Sequence, residues 1–543
     1  MFRRLLFSGV GVLTAIIALL GMKGVFSRIL EVEGWTYLGF TMLFVMLVSA
    51  VIYLIYRVKN IEKYYKVIVI SLFGFLTLSL VVASLSVYST NHSWDVSVVK
   101  MLAENYIAHG TTEVAPDMWE YNYLARYDNN IPITLLLVGI LKAASIFGIS
   151  GNVAILGLNS LSMLLSCAMI IYAIYKSLGA RASLAAFIPA YVFVAISPFL
   201  TIFYTDTLGL FAISLIVLLL VKFKSTNMNR FLYSGLIGSV AGFSLLVKPT
   251  TLIVFIAIAI VFVAKNIKNL FKWNFLWPNL LMLGSFFSGL LILTLTYSLI
   301  FNSMPNFAKY SDELIDQKRV SAIHYLGMGS LRGLAPFQKC ETGGYCPELV
   351  DWITGEEGIK SLDEKNNFSF NLWHKSVETD FPWGYLGFAG RKIESTFSDG
   401  SFGAWGEGAS NNDKIIFLSR NPVAKKGREF LGINPKRGLI VRGLWQGVWL
   451  LVLLSIFSFS LLLVAAQFKE FKLLKKYRDS NRLGEIFIVA IFGLALYQIL
   501  FESRARYIYL FIPIFAFMFV LFVDIFAKWF KHRYHQASKY DNI

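Results

Sequence analysis

The sequence predicts an all-α polytopic membrane protein with about 12 transmembrane helices, and three observations predict it. Of its 543 residues, 56% are hydrophobic and only 15% charged, where a soluble domain carries roughly 25% charged residues. The mean hydropathy is +0.62. Apolar runs of about 17 to 25 residues, the length that spans a bilayer as a helix, recur along the chain. The net charge of +17 reads as basic loops on one side of a membrane, not as a nucleic-acid surface. The expected partner is therefore a lipid bilayer, with no nucleic acid.

The elements follow in order. Residues 1–65 hold two spans, at 5–21 and 37–56. The start, Met1-Phe-Arg-Arg and then Leu5 to Leu20, has the outline of a signal peptide. No A-x-A cleavage site follows and a second span begins soon after, so it reads as an uncleaved helix. Residues 66–301 form a core with spans at 66–88, 153–175, 183–202, 207–222, 231–247, 250–264 and 277–301, and a polar loop at 89–152. Residues 302–440 are a large hydrophilic segment. Residues 441–528 hold the last spans, at 441–466, 485–501 and 507–528, and 529–543 are a basic tail.

The stretch 131–147 decides the topology. It is short and Lys142 interrupts it. If it crosses, Lys176, Arg181, Lys222, Lys224, Arg230, Lys265, Lys268 and Lys272 lie opposite Arg3, Arg4, Arg57 and Lys59. So does the cluster Lys469, Lys472, Lys475, Lys476, Arg478 and Arg482. If it lies at the outer interface as a juxtamembrane helix, all these residues share one side. The positive-inside rule selects the second arrangement. Both termini are then cytoplasmic, and 89–152 and 302–440 are extracytoplasmic. The lysine- and asparagine-rich loops are compatible with a bacterial plasma membrane.

Cys340 and Cys346 lie in the large outer segment, and Cys167 in a span. In an oxidising compartment the C-x5-C pair is expected to close a small disulfide loop; two free thiols are the other reading. Two thiols make a poor zinc site, and His324 is the nearest histidine. Aromatics such as Trp373, Phe381, Trp383, Phe402 and Trp405 suit a domain resting on the membrane interface.

Four polar groups stand at the outer ends of spans. They are Asp95, Thr205-Asp206-Thr207, Lys248-Pro249-Thr250 and Glu502-Ser-Arg504-Ala-Arg506-Tyr507. Each has a plainer reading. Asp95 suits the N-cap of a helix over 96–109, Asp206 caps the next span, and Lys248 snorkels to the headgroups. Arg504 and Arg506 also suit headgroup anchoring or pairing with Glu502. Yet two arginines in an outer loop run against the positive-inside trend, and arginine binds phosphate bidentately. Glu104, Glu113, Asp117 and Glu120 read as solvated surface. An outer carboxylate beside cations suits a lipid-phosphate donor. The carboxylate takes a proton from an acceptor hydroxyl while the cations stabilise the departing phosphate. The chain has no D-x-D, no G-x-G-x-x-G at a strand–helix junction and no Walker loop, so no soluble nucleotide-sugar site is visible.

These groups resemble the GT-C superfamily of integral-membrane glycosyltransferases, notably bacterial relatives of protein O-mannosyltransferases and lipid A aminoarabinose transferases. Asp95 matches a carboxylate early in the first outer loop. The segment from Tyr127 to Pro132 and on through Ile146-Phe-Gly148 resembles the family's juxtamembrane helix. Glu502, Arg504, Arg506, Tyr507 and Pro513 match a late E-x-R-x-R-Y then P pattern. The likeness covers about 66–300 and 485–528. It implies a glycosyltransferase with a polyprenyl-phosphate sugar donor. The acceptor it implies is an extracytoplasmic glycopolymer, glycolipid or protein. Asp95 is then the general base, Lys248, Arg504 and Arg506 bind donor phosphate, and Asp206, Glu502 and Tyr507 support them. Val96 stands where many relatives have a second acid, so a divalent metal is left open and no ligand set is named. Two spans precede the family's usual first helix. The rival readings are a transporter or flippase of lipid-linked sugars, and a non-catalytic envelope-assembly subunit.

Overall fold

A hydrocarbon layer leaves a crossing backbone no partner but itself, and the computed structural model is accordingly almost wholly helical. It describes residues 2–32, 34–87, 90–91, 94–225, 230–333, 337–338, 340–355, 361–403, 416–417, 422, 426, 438–467 and 482–540. Lys469, Lys472, Lys475, Lys476 and Arg478 of the basic cluster, and Trp405, lie outside the described residues.

The first helices are α1 (Phe2–Val32), α2 (Gly34–Arg57), α3 (Ile61–Val87), α4 (Asp95–His109), α5 (Tyr123–Arg126) and α6 (Ile131–Ile146). Next come α7 (Gly151–Leu178), α8 (Ala180–Ala190), α9 (Thr205–Ser225), α10 (Arg230–Val247), α11 (Leu252–Asn266) and α12 (Trp273–Ser303). The outer segment holds α13 (Asp312–Lys318), α14 (Ala322–Gly329), α15 (Pro347–Thr354), α16 (Leu362–Glu378) and α17 (Trp383–Phe397). The chain ends with α18 (Leu439–Ala465), α19 (Arg482–Leu500), α20 (Arg506–Tyr509) and α21 (Ile512–Tyr540). A two-residue strand, Thr90–Asn91, pairs antiparallel with Ile416–Phe417.

Twelve described helices are long and apolar enough to cross a membrane. The number matches expectation, but the membership differs in two places. The stretch Asp128–Ile146 is among the twelve, yet both its ends stay at one rim. At its start, Asn130 bonds Tyr123 and Tyr204. Near its end, Lys142 sits over the ring of Tyr106, and Tyr106 bonds the Pro305 carbonyl just past α12. Five residues further on, α7 begins at that rim, where Asn152 accepts a bond from Lys100 of α4.

The second difference is the 183–202 span, which is no continuous helix. Pro189 lies inside α8, a π-turn follows at Tyr191–Ala195 and a 3-10 turn at Pro198–Thr201. Proline offers no N–H and crowds the preceding turn, which breaks the helical ladder. The chain nonetheless runs antiparallel along α7. Ser183 bonds the Ile171 carbonyl, Cys167 the Ala190 carbonyl, and the Asn159 amide the Phe199 and Leu200 carbonyls at 3.1 and 2.7 Å. The Asn159 amide thereby serves carbonyls of the broken stretch, where helical partners are interrupted. The broken path is thus not one of the twelve, whereas 128–146 is.

Ion pairs mark the opposite rim. Arg3 lies 3.2 Å from Glu485, Lys265 also pairs with Glu485, and Arg181 lies 3.0 Å from Glu62. Down the middle runs α21, where Ile512, Ile514, Phe515, Phe517, Met518, Val520 and Leu521 expose no surface. It packs on α7, α8, α9 and α18, while α1 and α2 pack along α18.

The outer segment has its own small core of Met328, Leu331, Phe337, Cys346, Leu349, Val350 and Ile353, and Cys340 and Cys346 form a disulfide. It docks on α1. Lys23 lies 2.6 Å from Glu394 of α17, and Arg28 lies 3.3 Å from Asp399. Arg3 and Lys23 are separated by about 30 Å of helix at 1.5 Å per residue, the thickness of the hydrocarbon core, so α1 joins the two rims.

At the periphery, α12 packs almost solely against α10. A Cβ on Gly238 would lie 1.9 Å from the Phe286 carbonyl oxygen, and one on Gly289 would lie 2.0 Å from that of Gly235. Small residues let the backbones touch where no hydrophobic force separates helix from lipid. Ser234 and Ser239 add bonds to the Met282 and Gly289 carbonyls. Gly238→Val should therefore destabilise the protein by about 1–3 kcal/mol, as overpacking does, and lower its melting temperature in detergent. Gly157→Val, where nothing lies within 4 Å, should not.

Candidate functional site

Asp95 sits in the first turn of α4. The N-cap is Trp94, whose side chain makes no capping bond, which corrects the expectation that Asp95 caps this helix. Its Oδ1 instead accepts a 2.7 Å bond from the Tyr123 hydroxyl. Tyr123 in turn accepts from the Asn130 amide at 2.8 Å, and Asn130 Oδ1 accepts from the Tyr204 hydroxyl at 2.6 Å. The relay is buried, and every donor in it points toward the carboxylate. Trp94 packs edge-on against Tyr204.

The other outer groups meet Asp95 around Tyr507. Its hydroxyl donates to Glu502 at 2.8 Å. Its ring carries Lys248 Nζ at 4.6 Å and the Arg506 guanidinium at 5.5 Å. Lys248 lies 2.9 Å from the fully buried Asp206, Arg504 lies 2.5 Å from Glu502, and Arg506 lies 3.9 Å from Asp95. Each of the three cations thus faces a carboxylate. Arg506 also lies over Trp94, and Arg504 over the ring of Tyr345. Burial alone would raise the Glu502 carboxyl. Arg504, Arg506 and the Tyr507 hydroxyl outweigh burial and hold it below the usual carboxylate range. Glu104 of α4 is exposed and pairs with Lys100.

The loop bearing Glu502, Arg504 and Arg506 is pinned from the outer segment. Glu502 N–H donates to the Tyr325 carbonyl and Ser503 N–H to the Gly343 carbonyl, at 3.0 and 2.9 Å. Gly343 and Tyr345 both belong to the loop that the disulfide closes. Beneath lies Lys392 of α17, 1% exposed. It donates to the carbonyls of Gly329, Ile499 and Phe501 at 2.6, 2.9 and 2.7 Å. These carbonyls lie at the C-terminal ends of α14 and α19, where a cation complements the helix dipole.

All seven polar residues read from the sequence as candidates are brought together. Sequence reasoning missed Tyr123, Asn130, Tyr204, Tyr345 and Lys392. Lys392 left one signal, a lysine on the otherwise apolar face formed by Phe388, Ile393 and Phe397. Among the described residues, no group of three or more His, Cys, Asp or Glu is placed to hold a metal ion.

A bundle of apolar crossings beneath a charged rim defines an integral membrane protein. The chain belongs to the family described as "conserved hypothetical integral membrane protein", which matches residues 4–525. No curated protein matches it. Among solved structures it is similar to "Crystal Structure of ArnT from Cupriavidus metallidurans bound to Undecaprenyl phosphate". The identity is 13% and the TM-score 0.28, over 83% of this chain and 77% of that one. A score that low carries nothing about a shared site or activity.

Two outcomes are expected. Cutting the disulfide, by Cys340→Ser with Cys346→Ser, should raise hydrogen exchange in peptides covering 341–345 and 501–505 together. The free-chain entropy released by opening so short a loop is worth about 2 kcal/mol. The second concerns pH. Burial pushes the Lys392 ammonium down to about 7, against a smaller upward pull from Glu502, while an unfolded lysine titrates near ~10.4. Between those values the folded state binds fewer protons, so this residue makes stability rise with pH. Melting temperatures measured from pH 7 to pH 9 should carry that rise, and Lys392→Met should flatten it.

Proposed function

We propose that this protein is a membrane glycosyltransferase that moves a sugar from a polyprenyl-phosphate donor to an acceptor at the rim bearing Asp95. The observation that carries this reading is the meeting of Asp95 with Lys248, Arg504 and Arg506 around Tyr507. Those cations come from segments far apart in sequence, and burying them at a membrane boundary is costly without a functional return. Arg506 in particular is only 13% exposed and meets Asp95 at 3.9 Å, beyond hydrogen-bond distance. Its Nε is buried without a hydrogen-bond partner. A phosphate oxygen would supply one.

The chemistry follows from the placement. An acceptor hydroxyl at Asp95 gives up its proton to the carboxylate as its oxygen bonds to the sugar's anomeric carbon. The bond from that carbon to the phosphate oxygen breaks, and the electron pair leaves with the lipid phosphate. Arg506, with Arg504 and Lys248, stabilises the charge that develops there. Asp206 and Glu502 hold Lys248 and Arg504 in place, and Tyr507 spaces all of them. On this reading the rim of Arg3, Lys265 and Arg181 is cytoplasmic, as are both termini. The site faces outward in a bacterial plasma membrane, and residues 302–440 form the extracytoplasmic domain that receives the acceptor. The acceptor is an envelope glycan, a glycolipid or a protein.

The test is transfer from a synthetic short-chain polyprenyl-phosphate sugar by the purified protein. Asp95→Asn should lower the rate by about 10²–10⁴-fold, the usual contribution of a general base, with protein yield and melting temperature retained. Full transfer by that variant would remove Asp95 from the chemistry.

A further inference from the structure

We infer that Arg506 is shared between the lipid phosphate and Asp95, so that donor binding uncovers the base and the donor must arrive before the acceptor. The inference rests on the phosphate site proposed above and adds an order to it.

The three ion pairs of the rim are not alike. Lys248 and Arg504 lie 2.9 and 2.5 Å from carboxylates that are almost wholly buried. Arg506 and Asp95 lie 3.9 Å apart, and Asp95 keeps 31% of its side-chain surface exposed. Attraction at that distance holds the charges near each other without a hydrogen bond. The guanidinium instead rests on the rings of Trp94 and Tyr507, at 4.9 and 5.5 Å. A planar guanidinium on aromatic faces keeps its N–H edge available for an oxyanion.

Asp95 is held from the other side. Oδ1 is fixed by Tyr123, and Tyr123 by Asn130 and Tyr204. The Arg506 contact falls on Oδ2, the oxygen that Tyr123 leaves open. Before the donor arrives, the cation stands 3.9 Å from the oxygen an acceptor hydroxyl must reach and competes for it. A phosphate that offers Arg506 short, charge-assisted bonds draws the guanidinium to itself. The carboxylate cannot follow, because the relay holds it. Oδ2 is then open beside the donor. Coupling of this kind is reciprocal: what the phosphate does to Arg506 and Asp95, Asp95 does to the phosphate. The carboxylate competes for the same cation and repels the same anion, so it weakens donor binding.

The experiment measures binding of farnesyl phosphate to the full-length protein in nanodiscs of neutral lipid. Asp95→Asn should bind the probe at least about fivefold more tightly than wild type, the lower end of measured couplings between sites. Asp95→Glu, which keeps the charge, should not tighten it. In an Arg506→Gln background, Asp95→Asn should lose most of its effect. If Asp95→Asn does not fold, Asp95→Ser reads the same quantity. Unchanged or weaker binding in the neutral variants overturns the shared-cation order and leaves the phosphate site standing. Absence of probe binding in wild type and every variant overturns both.

Discussion

Charge buried at the end of a bilayer-spanning bundle must find its counter-charge inside the protein, and the rim around Tyr507 is organised by that need. Asp206 is fully buried and Glu502 nearly so, and each is kept tolerable by one cation within 3 Å. Removing one member of such a pair leaves the other stranded, which costs far more than the pair contributes. The surrounding elements therefore have to be fixed closely. The end of α19, the turn before α11, the start of α9 and the start of α4 are set by one electrostatic problem. Tyr507 solves its geometry by offering a hydroxyl to an anion and a ring face to two cations.

Support for that rim comes from three directions. Lys392 ties the ends of α14 and α19 from below. The disulfide-closed loop presses on the 502–504 backbone from outside. The broken stretch after α8 delivers Tyr204 to the relay, and hydrogen bonds with α7 hold it along its length. At its far end Phe199 stacks on Tyr509 at 3.8 Å, so the break is packed against the same short helix that carries Arg506.

Much of this was legible before the structure because charge at a membrane boundary is rare enough to be conspicuous. Asp95, Asp206, Lys248, Glu502, Arg504 and Arg506 could be named, and placed on one side, by counting basic loops. The reading of 131–147 as a stretch with both ends at one rim rested on the same count. The relay was not legible. The chain has 26 tyrosines, and nothing in their spacing separates Tyr123 and Tyr204 from the rest. Asn130 lies beside Asn129, and only the fold says which one turns inward. Asp95 was open to a capping role because local rules favour aspartate there; a tyrosine 28 residues away took the carboxylate instead. Hydropathy expected a continuous span at 183–202, and it could not reveal that tertiary bonds from Asn159 stand in for helical ones there.

The relay has one more property. A carboxamide is a poor carrier of hydrogen ions, because its nitrogen donates and its oxygen accepts in fixed positions. Asn130 therefore interrupts any proton wire from Asp95 toward Tyr204 and the bundle interior. On the proposed chemistry, a proton captured at Asp95 has a single exit, back through the exposed oxygen to the aqueous side it came from. On that same chemistry, turnover at the edge of an energised membrane would not leak the ion gradient that the membrane exists to hold.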